Sequence, residues 1–190
     1  MDGAKGREQL EKLLANHCAP VLCRRKTANL VAAPRELEIH LPEALKGSGL
    51  SWIRLCGCRK YCHLFIYDRE RLADYLGRKE HRNFLEAYGY EDGRLPEMLE
   101  LLAGRYERYQ KQGGVFPHEI GLFLEYPLGD IEGFIAHGGK DALACGYWKV
   151  YENVERAAEV FRLYDRLRAA LTAMVAAGRG LGESAAEAAG

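Results

Sequence analysis

Apolar positions recur every three or four residues along most of this chain, and the exceptions mark its turns and strands. Over residues 6–17, Leu10, Leu13, Leu14 and His17 share one helical face, with Glu and Lys on the others. Ala19-Pro20 predicts a restart, because proline is accepted in the first turn of a helix but not in its interior. A second short helix is expected from Pro20 towards Val31, ending before Pro34. Leu37, Ile39 and Leu41 alternate with Glu38 and His40, which predicts a short strand. Residues 51–67 then keep a strand period, with arms at 52–56 and 61–67 and Gly57 in the connection. The second arm, CHLFIY, is apolar on both faces and therefore predicts a central strand.

Helical spacing returns after Asp68, whose carboxylate can cap a helix with Leu72, Tyr75 and Leu76 on its inner side. Further helices are expected over 80–88 and 95–111, the latter through Leu95, Met98, Leu99, Leu102, Tyr106 and Tyr109, with Gly113-Gly114 as its stop. Pro117 opens a short helix that Tyr126-Pro127 breaks, and Ile131, Phe134 and Ile135 define the next, ended by His137-Gly138-Gly139. Residues 145–151 alternate as one strand, with Gly146, Trp148 and Val150 opposite Cys145, Tyr147, Lys149 and Tyr151. A long last helix starts near Asn153 and carries Val154, Ala157, Phe161, Tyr164, Leu171 and Val175 inward. The tail 178–190 has no core-forming pattern and is expected to be disordered. The elements predict one compact α+β domain over 1–177. Its small, mostly antiparallel sheet is formed by the hairpin and the GYWKVY strand, packed with several helices.

Composition changes this picture little but removes several function classes. The chain has 190 residues, enough for one core without staples, and its 27 basic and 27 acidic residues cancel. That balance gives no global electrostatic case for nucleic acid or an anionic membrane. The amino-terminal stretch is charged and amphipathic, and no apolar run approaches the roughly 18 residues of a membrane span, so a cytoplasmic protein is expected. In that compartment the six cysteines read as thiols or metal ligands. There is no G-x-x-x-x-G-K-[ST] loop, no strand–G-x-G-x-x-G–helix fingerprint, no G-x-S-x-G elbow and no C-x-x-C pair. No motif specifies a cofactor.

Two stretches carry a resemblance. The run FPHEIGLFLEYPLGDIEGFI, a glycine-rich bend and GYWKVY before a helix form the first; HCAPVLCRRKTANLV, with Cys18, Pro20, Lys26, Asn29 and Leu30, forms the second. Together they resemble the bacterial family catalogued as domain of unknown function 3793, over roughly residues 10–168. The family has no activity to carry over. Its genes are often associated with flavodoxin and ferrous-iron uptake genes, which implies an iron or redox setting and a redox partner such as a flavodoxin. The cluster Cys56, Cys58 and Cys62 lies outside the family pattern.

Four groups of residues can carry chemistry. Cys18, just ahead of a helix expected to begin at Pro20, sits where free N–H groups and the helix dipole lower a thiol pKa, and Lys26 can add positive charge. Paired with His118 as base and oriented by Glu119 or Asp130, it would make a nucleophile; its bland reading is a small buried cysteine. Cys56, Cys58 and Cys62, with His63, are soft metal ligands, but their spacing is not that of a zinc site, and Cys62 and His63 point to opposite strand faces. His118 and Glu119 in a first helical turn are either ordinary capping residues or an anion site; the H-E-x-x-H motif is excluded by Leu122. Tyr147, Lys149 and Tyr151 form an aromatic face that either packs or stacks on a planar ring such as a flavin or porphyrin edge. The expectation is an accessory or small-ligand-binding protein, with Lys26, Asn29, Tyr147 and Lys149 as binding residues and a pocket between the 18–29 segment and the His118 helix. The alternative is a thiol-dependent enzyme using Cys18, His118 and Glu119.

Overall fold

The computed structural model describes residues 3–91 and 93–190. Helix α1 (Gly3–Leu22) runs straight through Pro20. The expected restart does not occur, because tertiary contacts outweigh the lost hydrogen bond: Ala19, Pro20, Val21 and Leu22 are all buried, and Asn29 Oδ1 accepts the Val21 N–H at 3.2 Å. The segment expected as a second helix is instead strand β1 (Ala28–Pro34). Its composition, ANLVAAP, is a short apolar run whose period does not separate helix from strand; pairing decides it. The expected strand at Leu37–Leu41 is a 3-10 helix (Arg35–His40) followed by the short α2 (Leu41–Ala44). Ile39 is largely exposed, which the alternation did not anticipate.

The hairpin forms as expected from β2 (Ser51–Gly57) and β3 (Tyr61–Tyr67). Strand β3 is central in the order β1-β3-β2, all antiparallel, so the third strand comes from the KTANL segment and not from GYWKVY. Residues of β3 alternate between two cores. Leu64 and Ile66 meet α1 together with α8 (Val154–Ala176) and α9 (Leu181–Ala189); Phe65 and Tyr67 meet α3 (Arg69–Leu76), α5 (Leu95–Gln112) and α6 (Ile120–Phe123). Helix α4 (Lys79–Glu86) links α3 to α5 and buries His81 and Leu85. The result is one compact α+β domain with helices on both faces of a small antiparallel sheet.

The Asp68 cap and the Gly113 stop are present as expected, and the long helix α8 starts at Asn153, which caps it. Asp68 accepts from Arg71 N and Asn153 from Arg156 N, and Gly113 ends α5 in the left-handed conformation that glycine adopts without a Cβ clash. The tail does not fray: α9 buries Leu181, Ser184 and Ala185 against α1 and α8. Small residues hid this helix, since alanines supply a buried face with little hydrophobic contrast. None of the described helices is long and apolar enough to cross a membrane.

Candidate functional site

The segment after α5 folds back over the sheet as α6, a break at Tyr126-Pro127, and α7 (Leu128–Ala136). Residues 144–150 then make a small hairpin, β4 (Ala144–Cys145) and β5 (Lys149–Val150), with a turn at 146–148. The continuous strand expected over 145–151 is therefore interrupted at Gly146-Tyr147-Trp148. Packing enforces the turn: a Cβ at Gly146 would stand 2.3 Å from the Phe161 ring, so only glycine lets that ring lie against it.

Asp130, in the first turn of α7, fastens this hairpin to the body. Its buried carboxylate accepts Trp148 Nε1 at 2.7 Å, Tyr151 N at 2.7 Å and Glu152 N at 3.1 Å. The chain passes so close to α7 that a Cβ at Gly133 would meet Tyr151 at 2.6 Å. Trp148 is thereby held in a stack on Tyr126, centroids 5.4 Å apart, and edge-on to Phe161 at 4.5 Å.

Between this assembly and the sheet lies a cavity of about 240 Å³. Leu30 of β1 and Tyr106 of α5 line it from the body; Phe116, Tyr126, Phe134 and Trp148 supply aromatic walls. His118 and Lys149 bring the polar groups. His118 packs between Phe116 and Phe134, 5.3 Å from each, while Lys149 Nζ lies 5.8 Å from the Phe134 centroid and donates to the Gly139 carbonyl. The two residues thus meet on one ring although 31 positions separate them (149 − 118). The lining is overwhelmingly apolar with a few convergent polar groups, the usual chemistry of a small-molecule site.

The family described as a protein of unknown function, DUF3793, matches residues 14–183. The chain belongs to that family. No curated protein and no solved structure matches it. The DUF3793 match spans every residue that lines the cavity.

Of the candidate residues singled out from the sequence, His118, Asp130 and Lys149 line the cavity, Asp130 with its carboxylate taken up by Trp148, Tyr151 and Glu152; the others have different places. Cys18 is fully buried in the α1 layer, while the cavity opens on the Leu30 side of the sheet, so the sheet separates Cys18 from His118. Burial pushes the Cys18 thiol up to about 12, with Lys26 acting the other way. The expected lowering fails because no helix begins at Pro20. Glu119 is 1 % exposed and faces away from the cavity, where it accepts from Arg105 Nη1 at 2.8 Å and from the Tyr90 hydroxyl at 3.1 Å. It is a structural ion pair and not an orienting base. Asn29 is occupied by Val21 N–H. Tyr147 leaves Lys149 behind at the turn, packs on Tyr164 and Phe161, and donates to Asp165 at 3.0 Å. Tyr151 stacks on His137 and donates to the Lys140 carbonyl.

The cysteine cluster also divides. Cys56 Sγ lies 3.0 Å from His63 Nδ1, whereas Cys62 Sγ donates to the Ala33 carbonyl at 3.6 Å on the opposite sheet face, and Cys58 is exposed in the turn. Among the described residues no three His, Cys, Asp or Glu donors converge on a metal position.

Lys26 has the least ordinary position. It is 3 % exposed, with Nζ 5.3 Å from the Tyr126 centroid and 5.8 Å from that of Tyr164. It backs the ring whose stack with Trp148 walls the cavity. Beside it, Glu125 holds a left-handed backbone (φ 57°) that aims its carboxylate at Thr27 N, 2.6 Å away. Burial pushes the Lys26 ammonium down to about 8, against the opposing influence of Glu125 and then Cys18. The folded chain therefore binds fewer protons than the unfolded chain between pH 8 and about 10.5. This group's contribution to stability accordingly rises with pH through that window, and its full cost, about 3 kcal/mol, applies below it. The aromatic contacts return roughly 1 kcal/mol. Lys26→Met is expected to gain about 2 kcal/mol at pH 7 and progressively less towards pH 10. Urea unfolding of both chains at each pH checks this; a gain that does not shrink with pH would show that Lys26 keeps its ordinary ammonium pKa in the folded chain.

Proposed function

We propose that this protein binds a small, planar, largely apolar ligand in the cavity between β1, α5 and the 116–149 segment. The reading is carried by one observation: an aromatic cavity into which His118 and Lys149, remote in sequence, both project beside Phe134. Its size bears on the ligand. A dry apolar cavity of ~150 Å³ takes up benzene, and drug-sized ligands occupy ~300–1,000 Å³. A volume of about 240 Å³ suits a one- or two-ring compound. A flavin or porphyrin would meet this site by an edge only. On the family resemblance we place this binding role in iron or redox metabolism, as an accessory protein whose partner is of the flavodoxin kind. Among the described residues, no geometry favours a thiol mechanism through Cys18.

The test uses 2-naphthol as probe and Trp148 as reporter, in a Trp52→Phe background, since the chain has two tryptophans. Leu30→Phe fills the cavity from the β1 side. The expected result is quenching of Trp148 in the parent and at least a ~10-fold weaker affinity in Leu30→Phe, with circular dichroism unchanged. Equal affinity in the two chains would place the probe elsewhere and sink the reading.

A further inference from the structure

The cavity has a neighbour. A groove of about 490 Å³ runs along α5 to the 114–119 segment, and Phe116 and His118 line both spaces. One side chain pair therefore forms the wall between an apolar chamber and a second, more polar one. In the groove the chemistry changes sign: Arg105 and Arg108 project from one face of α5, three residues apart, towards His118, and Gln112 and Tyr109 add amide and hydroxyl donors.

The charges in the groove do not cancel. Glu119 takes Arg105, whose guanidinium also donates to the Tyr88 carbonyl, so that pair is internally satisfied. Glu132 acts on the Tyr88 phenol from the α7 side. Arg108 makes one long bond, Nε to the Gly104 carbonyl at 3.3 Å, and has no carboxylate partner among the described residues. Its terminal nitrogens are a fork of the geometry that suits an oxyanion. A committed ion pair beside an uncommitted arginine, next to an apolar chamber, is the layout for a two-part ligand.

Resting on the cavity reading above, we infer that the ligand is an aryl compound with an anionic tail, phosphate or carboxylate. Its ring occupies the chamber, and its tail crosses Phe116 and His118 to Arg108. His118 is then a shared residue that touches the ligand where ring and tail join. Lys149, at the Gly139 end, closes the chamber and plays no part in reading the tail.

Three probes test this in the Trp52→Phe background: 2-naphthol, 2-naphthyl phosphate and 2-naphthyloxyacetate. At least one anionic probe is expected to bind about tenfold more tightly than the naphthol, the size of one charge-assisted hydrogen bond. Arg108→Ala is expected to bring that probe to the naphthol level, and Arg108→Lys to retain part of the preference because it keeps the charge and loses the fork. The ranking of phosphate and carboxylate then identifies the tail. Naphthol binding with no preference for either anion, or a preference that survives Arg108→Ala, overturns the inference and leaves the cavity reading standing. Failure of all three probes to bind overturns both.

Discussion

Asp130→Ala is expected to remove about 4 kcal/mol of stability, the largest effect of any single substitution considered. One carboxylate accepts three N–H groups, and the substitution leaves each donor without its acceptor. Hydrogen bonds to a charged group contribute roughly 1.5–3 kcal/mol apiece, but the sum is reduced because Tyr151 N and Glu152 N can reach water. Trp148 Nε1 cannot, since the indole is buried between Tyr126 and Phe161. The loss should therefore be concentrated there. Asp130→Asn separates the two contributions: its carbonyl still serves the backbone donors, while its amide opposes the indole N–H. Chemical unfolding, together with the Trp148 emission wavelength in a Trp52→Phe background, measures both. A blue, unshifted Trp148 in Asp130→Ala would show that stacking alone holds the hairpin.

The second large effect is asymmetric. Arg105→Ala is expected to cost about 3 kcal/mol, because it leaves the Glu119 carboxylate buried with only the Tyr90 hydroxyl to solvate it. Glu119→Leu should cost less, since Arg105 is 28 % exposed and can turn to water. The double variant, Arg105→Met with Glu119→Leu, should be more stable than Arg105→Ala alone, as expected when the penalty is an orphaned charge and not a lost attraction. Three equal losses on unfolding would instead mean that the pair itself supplies the stability. Glu119 directly follows Pro117 and His118, so the substitution should also weaken the proposed binding of 2-naphthol in the cavity.

The place of Glu119 illustrates how far a sequence can be read locally. His-Glu in an expected first helical turn reads either as ordinary capping residues or as an anion site, and both readings depend on backbone close in sequence. The partner that decides the matter, Arg105, lies on another helix, 14 residues away. Cys18 shows the same dependence. Its predicted activation required a helix start at Pro20, and long-range burial of Val21 and Leu22 carried the helix past it. The cavity had a partial signal: Phe116, Tyr126, Phe134, Trp148, His118 and Lys149 all lie within the stretch that carried the resemblance. Arg108 had none, since an arginine on an amphipathic helix is ordinary until something is seen to face it.

The sequence by itself determined the elements whose causes are local. The Asp68 cap, the 51–67 hairpin with its doubly apolar central strand, the Gly113 stop and the long helix starting near Asn153 all follow from short-range chemistry, as does the α+β class. Tertiary structure alone decided three things. It made ANLVAAP the edge strand beside β3, because only a pairing partner resolves an alanine-rich run. It broke GYWKVY into a turn, because Phe161 and Asp130 claim Gly146 and Trp148 from a distance. And it brought His118 to Lys149 across Phe134 while burying Cys18 behind the sheet, because side-chain convergence depends on how elements pack and not on the order in which they are written.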